Sequence, residues 1–213
     1  MTYTVKEIYY TIQGEGLNGG RAAVFLRFTG CNLWSGREED RDRGRGGCSK
    51  WCDTDFVGTD GPLGGRYENP QDLADQVRSL WASGEGRPLV VCTGGEPLLQ
   101  LDPPLIEALH QVGFEVAIES NGSLPVPLGV DWVCISPKAN APLVVDRGNE
   151  LKLAFPQEGM PPEDFVHLAF GAFLLQPIDG PKVKEHTQQV LDYCLAHPRW
   201  RVSLQAHKYL QIR

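Results

Sequence analysis

The sequence predicts an α/β protein whose mostly parallel sheet forms a partial, open (β/α) barrel of about six strand-helix units. Short apolar runs alternate with amphipathic segments, which is the pattern of repeated βα units. The chain has 213 residues, whereas a closed eight-unit barrel takes about 250. Polar or glycine-rich residues follow most of the apolar runs, as they do at the sheet edge where ligands bind. We therefore expect the chemistry to lie at that edge.

The individual strands and helices are assigned from the spacing of apolar residues. The predicted strands are 22–28, 89–92, 115–119, 132–136, 150–154, 173–176 and 201–204. The clearest helix begins after Asn69, with Pro70 at its first position and with Leu73 and Val77 on one face. Further helices are predicted over 105–112 and 183–196, and the apolar stripe of the latter predicts packing against the sheet.

The whole chain, residues 1–213, is predicted to form a single domain, since its length is near that of one large domain. Segment 37–47 differs from the rest in composition. It holds four arginines, four acidic residues and three glycines, with no apolar residue to bury. We interpret it as an exposed, flexible insertion.

The charge of the chain limits its partners. The formal net charge is −7, which argues against a general nucleic-acid binder because phosphate neutralisation needs a positive field. Residues 181–213 carry six basic and two acidic side chains, so a local anion site near the C-terminus is possible. No apolar run approaches the roughly 18 residues that cross a bilayer, and no leader is visible. We expect a cytoplasmic protein without membrane or nucleic-acid partners.

The six cysteines fall into two groups. Cys31, Cys48 and Cys52 flank the polar insertion, and without a leader they suggest metal binding or burial rather than a disulfide framework. Structural zinc usually takes four ligands, while a four-iron cluster held by three cysteines leaves one iron open. Spacing alone leaves iron–sulfur, zinc and unligated thiols all open. The remaining cysteines, Cys92, Cys134 and Cys194, lie in apolar surroundings that indicate core packing.

A pair of glycines ends one predicted strand, in Thr93-Gly94-Gly95-Glu96-Pro97. Glycines there let the backbone approach a ligand closely. An ordinary βα turn explains the same residues, so the pair by itself does not decide between the two interpretations.

Several motifs together resemble a known family. The three cysteines, Trp51 before the last of them, and Gly94-Gly95-Glu96-Pro97 resemble the radical S-adenosylmethionine superfamily. A further set of segments runs in order along nearly the whole chain: Gln13-Gly14-Glu15-Gly16, Arg27-Phe28, Gly30-Cys31-Asn32-Leu33-Trp34, Cys52-Asp53-Thr54, Glu119-Ser120-Asn121-Gly122, Ser136-Pro137-Lys138 and Gln176-Pro177. With these segments the chain more specifically resembles the 7-carboxy-7-deazaguanine synthase family. The superfamily has two residues between the last two cysteines, whereas this chain has three, Ser49-Lys50-Trp51.

The resemblance implies a set of cofactors and their sites. Cys31, Cys48 and Cys52 would hold a 4Fe-4S cluster whose open iron binds S-adenosylmethionine. Residues implied near the cofactors are Trp51, Asp53, Gly95, Ser136, Pro137, Lys138, Gln176 and Asp179. The hydroxyl of Thr54 would contact Mg²⁺, an ion that favours oxygen ligands.

The resemblance also implies a substrate and a reaction. The substrate would be 6-carboxy-5,6,7,8-tetrahydropterin, converted to 7-carboxy-7-deazaguanine by a magnesium-dependent ring contraction with loss of ammonia, in queuosine and deazapurine biosynthesis. Arg27 would bind its carboxylate through two hydrogen bonds, and Glu119 would accept from the guanine-like edge. The implied catalytic residues are Arg27, Glu119 and His207. The implied substrate contacts are Ile12, Gln13, Gly14, Glu15, Arg27, Thr93, Glu119, His207 and Arg213, the last two in a tail that closes over the substrate.

Partners and rival functions complete the expectations. Exposed edges of an open sheet predict a homodimer, and the cluster implies an electron donor such as flavodoxin or ferredoxin. One rival is another radical enzyme, such as an activator of glycyl-radical enzymes. The other is a non-catalytic zinc-binding interaction module, in which the three cysteines and a histidine hold a loop.

Overall fold

Nine strands and four α-helices make up the regular structure in a computed structural model that describes residues 2–82 and 85–212. The strands are β1 (Tyr3–Ile12), β2 (Ala22–Phe28), β3 (Gly65–Tyr67), β4 (Leu89–Gly94), β5 (Glu115–Ser120), β6 (Trp132–Ile135), β7 (Arg147–Phe155), β8 (Ala169–Pro177) and β9 (Trp200–Val202). The helices are α1 (Pro70–Leu80), α2 (Pro103–Gln111), α3 (Val183–Ala196) and α4 (Ala206–Leu210). Short 3₁₀ turns lie in several of the loops.

All nine strands form one sheet in the order β3-β1-β2-β4-β5-β6-β7-β8-β9. From β2 to β9 every neighbouring pair is parallel, whereas β1 pairs antiparallel with both β2 and β3. Within the described residues β3 and β9 remain unpaired edges, so the sheet does not close. The predicted class, a partial and open α/β barrel, is therefore confirmed.

The seven predicted strands and the three predicted helices are all present. Strand 22–28 and helix 183–196 have the predicted bounds, and the others differ by a few residues at one or both ends. Strands β1 and β3 and helix α4 were not predicted. Of the six crossovers that join β2 to β9, only those containing α1, α2 and α3 carry an α-helix in the described part of the chain. The number of strand-helix units is thus smaller than the number of parallel strands suggests.

Local sequence signals explain where the first two helices begin. The Asn69 side chain accepts a hydrogen bond from the Gln71 amide at 2.9 Å, and Pro70 occupies the first position of α1. The Asp102 carboxylate caps α2 through the Leu105 amide at 3.1 Å. Both helices bury their apolar faces against β1, β2, β4 and β5 in one hydrophobic cluster. A second cluster forms between α3 and strands β7 to β9.

Segment 37–47 is mostly exposed and contains a 3₁₀ helix, Glu38–Arg43, with no buried residue. Its flexibility stays a prediction, as does the single-domain organisation. None of the helices in the described residues is both long and apolar enough to cross a membrane.

Candidate active site

A cavity of about 710 Å³ opens at the carboxyl ends of the parallel strands. Arg27 and Thr93 lie side by side near the ends of β2 and β4, in paired register. Glu119 lies near the end of β5, Ser136 directly follows β6, and Gln176 lies near the end of β8. Parallel pairing therefore brings polar side chains from five strands to one rim, as the sequence predicts for this edge.

Most of the predicted site residues line this cavity. Those lining it are Ile12, Gln13, Gly14, Glu15, Arg27, Cys31, Cys48, Trp51, Cys52, Asp53, Thr54, Thr93, Gly95, Glu119, Ser136, Lys138, Gln176 and His207. Pro137 is buried but does not line the cavity, and its carbonyl accepts a hydrogen bond from Gln157 Nε2 at 3.3 Å. Asp179 does not line the cavity, but it forms an ion pair with Lys208, which does. Arg213 lies outside the described residues.

The three thiols share one wall of the cavity, although 21 positions separate the first from the last in sequence. Cys31 follows β2, and Cys48 lies in a 3₁₀ turn, Gly47–Lys50. The Cys48 carbonyl accepts hydrogen bonds from the Trp51 amide at 3.0 Å and from the Cys52 amide at 2.7 Å. The three-residue spacer thus closes one helical turn, and residues four apart lie on the same face of such a turn.

Two of the thiols, Cys31 and Cys48, lie in surroundings that disfavour the free thiolate. Burial raises the pKa of Cys48 to about 11, partly offset by the Lys138 ammonium. Burial also raises the pKa of Cys31, against hydrogen bonds from the Leu33 and Trp34 amides. Metal binding is the usual way to hold such thiols deprotonated.

Arg41 of the inserted segment holds the loop that carries Cys48 and Cys52. Its Nη1 donates to the carbonyl oxygens of Ser49 at 2.7 Å and Cys52 at 3.2 Å, and its guanidinium lies 5.0 Å from the centre of the Trp34 ring. The Ser49 hydroxyl returns a hydrogen bond to the Arg41 carbonyl at 2.7 Å. The insertion therefore acts as a brace for the loop.

The glycine pair that ends β4 has a structural cause. A Cβ on Gly95 would lie 2.2 Å from the Gly30 carbonyl oxygen and 2.8 Å from Cys31 Cβ, so a larger residue would displace the first thiol. The next residue, Glu96, is fully buried and accepts from Ser120 Oγ and the Asn121 amide, both at 2.8 Å. The motif thus joins the ends of β2, β4 and β5.

A charged cluster occupies the cavity wall formed by β5, β7 and the loop after β1. Lys152, which the sequence analysis did not single out, pairs with the carboxylates of Glu15 and Glu119. Gln13 Nε2 donates to Glu119 Oε1 at 3.0 Å, and Gln205 Nε2 donates to Glu15 Oε1 at 3.1 Å. Burial alone would raise the pKa of Glu15, but the Lys152 ammonium outweighs it and lowers that pKa to about 2.

A second set of charges surrounds Arg27. Its Nε pairs with Glu7 Oε1 at 3.0 Å and its Nη2 donates to the Tyr9 hydroxyl at 3.1 Å. Nearby, the Lys6 ammonium pairs with Asp55 at 2.7 Å and Asp60 at 2.6 Å. Sequence reasoning missed Lys6, Glu7 and Tyr9 because it did not assign β1, where a register shift between Val5 and Glu7 brings two consecutive residues, Lys6 and Glu7, to the cavity.

The C-terminal helix covers part of the cavity. The Ala206 amide donates to the Gly14 carbonyl at 2.9 Å, and a Cβ on Gly14 would lie 2.5 Å from His207 Nδ1. Lys208 bridges Asp53 at 2.5 Å and Asp179 at 2.6 Å. Helix α4 therefore connects the loop of the thiols to the end of β8.

The predicted magnesium ligand, Thr54, lines the cavity next to Asp53 and Asp55, and both carboxylates are already paired with lysines. Within residues 2–82 and 85–212, no three His, Cys, Asp or Glu side chains are grouped closely enough to hold one metal ion.

Comparison with known proteins was made by sequence and by structure. No protein-family model matches the chain. The 7-carboxy-7-deazaguanine synthase of Burkholderia multivorans is 57% identical over 212 residues, with 100% of both chains covered. The protein of the same name from Bordetella pertussis is 58% identical over 212 residues, again with 100% of both covered.

The chain belongs to the 7-carboxy-7-deazaguanine synthase family. A crystal structure of QueE from Escherichia coli has the same fold, with a TM-score of 0.70 and 26% identity over 97% of this chain and 95% of that one. The family predicted from the motifs is thereby confirmed. Members of the 7-carboxy-7-deazaguanine synthase family are radical S-adenosylmethionine enzymes that use a 4Fe-4S cluster and Mg²⁺.

The residues present fit these cofactors. Each cysteine of a four-iron cluster ligates a different iron, so Cys31, Cys48 and Cys52 on one wall suit a cluster with one open iron. The Thr54 hydroxyl offers the hard oxygen that Mg²⁺ prefers. The Gly95 backbone and the Ser136, Lys138 and Gln176 side chains line the remaining space that S-adenosylmethionine would need.

Proposed function

We propose that this chain is a carbon–nitrogen lyase that converts 6-carboxy-5,6,7,8-tetrahydropterin to 7-carboxy-7-deazaguanine, with loss of ammonia, in queuosine and deazapurine biosynthesis. The observation that carries the proposal is that one cavity holds three thiols, a partly buried arginine and a carboxylate pair. The full-length identity of 57% to a synthase of that name supports the same reaction.

The cofactor side of the cavity lies at the loop of Cys31, Cys48 and Cys52. These thiols would hold the 4Fe-4S cluster, which would supply the electron for cleavage of S-adenosylmethionine and hence for removal of hydrogen from C6 of the pterin. We assign the cofactor contacts to Trp51, Asp53, Gly95, Ser136, Pro137, Lys138, Gln176 and Asp179. The Lys138 ammonium donates to the Ser136 carbonyl at 2.8 Å and lies 5.7 Å from the Trp51 ring centre, which fixes these groups relative to each other.

The substrate side lies across the cavity. The Arg27 guanidinium binds the substrate carboxylate by a charge-assisted pair of hydrogen bonds, with Glu7 and Tyr9 holding its orientation. Glu119 and Glu15 accept from the amino and N–H edge of the ring. Ile12, Gln13, Gly14, Thr93 and His207 complete the assigned contacts, together with Arg213 at the end of the chain.

The open sheet and the electron requirement of the cluster indicate the proposed partners. In the part of the chain that the structure describes, β3 and β9 are unpaired edges of the sheet, which supports a homodimer that covers one of them. A flavodoxin or ferredoxin is the class of protein that supplies the electron. We infer a cytoplasmic location, where both the reductant and the pterin substrate would be available.

The test is anaerobic reconstitution followed by turnover. The reconstituted protein is analysed for iron and sulfide, and then incubated with reductant, S-adenosylmethionine, Mg²⁺ and the carboxypterin. We expect about four irons per chain, as three cysteine ligands imply, and formation of 5′-deoxyadenosine and the deazaguanine acid. A colourless zinc-loaded protein that forms neither compound would refute the proposal and favour the interaction module. Formation of 5′-deoxyadenosine only when a partner protein is supplied, and not with the carboxypterin, would favour a glycyl-radical activator.

A further inference from the structure

Lys152 is a buried charge inside a strand. In β7, Leu151 and Leu153 pack into the hydrophobic cluster beneath α3, whereas Lys152 and Ala154 point to the opposite side and line the cavity. Only 5% of the Lys152 surface is exposed. Burying an ammonium costs several kcal/mol unless it is paired, so the position demands compensating anions.

Two carboxylates provide that compensation, and both line the cavity. Lys152 Nζ contacts Glu15 Oε2 and lies 3.4 Å from Glu119 Oε1. The other charged or titratable groups that act on this cluster are Glu150 and Lys138, the Cys134 thiol and the Tyr9 hydroxyl. Glu150 is itself occupied by the Leu17 amide at 2.7 Å. One cation therefore lies between two ligand-facing anions.

The Lys152 ammonium determines whether the carboxylate oxygens of Glu15 and Glu119 accept or donate hydrogen bonds. Two neighbouring carboxylates without a cation tend to share one proton, and the protonated oxygen then becomes a hydrogen-bond donor. With Lys152 between them, both carboxylates are paired with a cation and present hydrogen-bond acceptors to the cavity. The surrounding amides reinforce this state, since Gln13 and Gln205 each donate to one of the carboxylates.

We propose that Lys152 is the positioning residue that sets the ring specificity of the cavity, by keeping Glu15 and Glu119 as a pure acceptor pair. The inference rests on the proposed function and deepens it. A ring edge that presents an N–H beside an exocyclic amino group satisfies both carboxylates. An edge with an oxo group in place of the amino group turns an acceptor toward an acceptor and is rejected.

The test measures ring preference by calorimetry on reconstituted enzyme with S-adenosylmethionine and no reductant, so that nothing turns over. The two probes are 7-carboxy-7-deazaguanine and its 2-oxo analogue, 7-carboxy-7-deazaxanthine. The wild-type chain is expected to prefer the amino compound by at least about 100-fold, since sites built around hydrogen bonds reject analogues that lack them. In Lys152→Met the preference should fall below about tenfold, through the loss of a charged hydrogen-bond acceptor.

The pH profile separates positioning from a merely structural role. In Lys152→Met, affinity for the amino compound should fall as pH drops from 9 to 6, because the carboxylate pair gains a proton, whereas the wild-type affinity stays level. The double variant Lys152→Met/Glu15→Gln keeps Glu119 but no longer has a pair of carboxylates, and it should lose that pH dependence. Lys184→Met removes an exposed charge on α3 and serves as the control.

The outcomes are distinct. A folded Lys152→Met that keeps the wild-type preference and a level pH profile overturns the inference, as does a wild type that binds both probes equally. If the single variant does not fold, the double variant decides, and a wild-type preference in it overturns the inference. Turnover of the carboxypterin by the wild type tests the proposed function separately, so that function can stand while the role of Lys152 falls.

Discussion

The brace formed by Arg41 predicts a measurable loosening of the thiol loop in Arg41→Met. One guanidinium nitrogen serves the carbonyl oxygens of both Ser49 and Cys52, so we count these as little more than one charged hydrogen bond, worth about 1.5–3 kcal/mol. Its stacking on Trp34 adds about 0.5–1 kcal/mol. The pair with Glu38, whose side chain is 79% exposed, adds little. The sum is about 2–4 kcal/mol.

This energy is local, so the assay must be local as well. Amide hydrogen exchange read by mass spectrometry should show the peptide around Cys52 exchanging about 30- to 900-fold faster in Arg41→Met, the factor that 2–4 kcal/mol implies. The amides of α1, far from the loop, serve as the internal reference. Reconstituted Arg41→Met should also release iron to a chelator faster than the wild type.

Arg43→Met is the matched control. Arg43 belongs to the same insertion, but its side chain is 83% exposed and its ion pair is with Asp40 at 3.5 Å. An exposed pair of this kind contributes about 0–1 kcal/mol, so its removal should change exchange near Cys52 by less than about fivefold. If both variants exchange alike, the insertion does not brace the loop and the reasoning is wrong.

Three further predictions concern the cavity. In Gly14→Ala the new methyl meets His207, so α4 should be displaced and the KM for substrate should rise by at least about tenfold, as lost ligand contacts imply; an unchanged KM contradicts the close approach. Because the pKa of Glu15 is lowered to about 2, its pairing stabilises the fold above its ordinary pKa, and on the order of 2 kcal/mol should be lost in urea unfolding as pH falls from 5 toward 2. Glu15→Gln should lack this loss, and an equal loss would count against the pairing. Cys52→Ala should abolish cleavage of S-adenosylmethionine, whereas Cys194→Ala, on α3 outside the cavity, should retain it. If Cys52→Ala still cleaves S-adenosylmethionine, Cys52 is not a ligand of the cluster.

The parallel part of the fold could be predicted because its strands are buried on both faces. The strand Leu89–Gly94 is buried throughout, and its first four residues form an unbroken apolar run in the sequence. Strand β1 could not be assigned in this way, because Tyr3, Val5 and Ile8 are buried while polar residues between them face the cavity. Its place in the sheet depends on pairing with distant residues, which no local pattern reveals.

The residues of the candidate site also differ in whether a local sequence pattern reveals them. Residues in loops after strands, such as Cys31 and Thr54, could be found by motif because their surroundings in sequence are distinctive. Lys152 lay within a predicted strand, and a charged residue in an apolar strand was a signal that a partner of opposite charge faces it. Its partner Glu15 is 137 positions away, so only the folded chain shows the pair.

The turn that joins Cys48 to Cys52 has a bearing on how such loops diverge. Because the Cys48 carbonyl serves the amides of both the third and the fourth following residue, the chain can gain one residue there without moving its ends apart. What natural selection can preserve is the place of each sulfur in space rather than the count of residues between them. In this chain the arginine-rich insertion supports the lengthened turn, since Arg41 holds the carbonyl oxygens of Ser49 and Cys52.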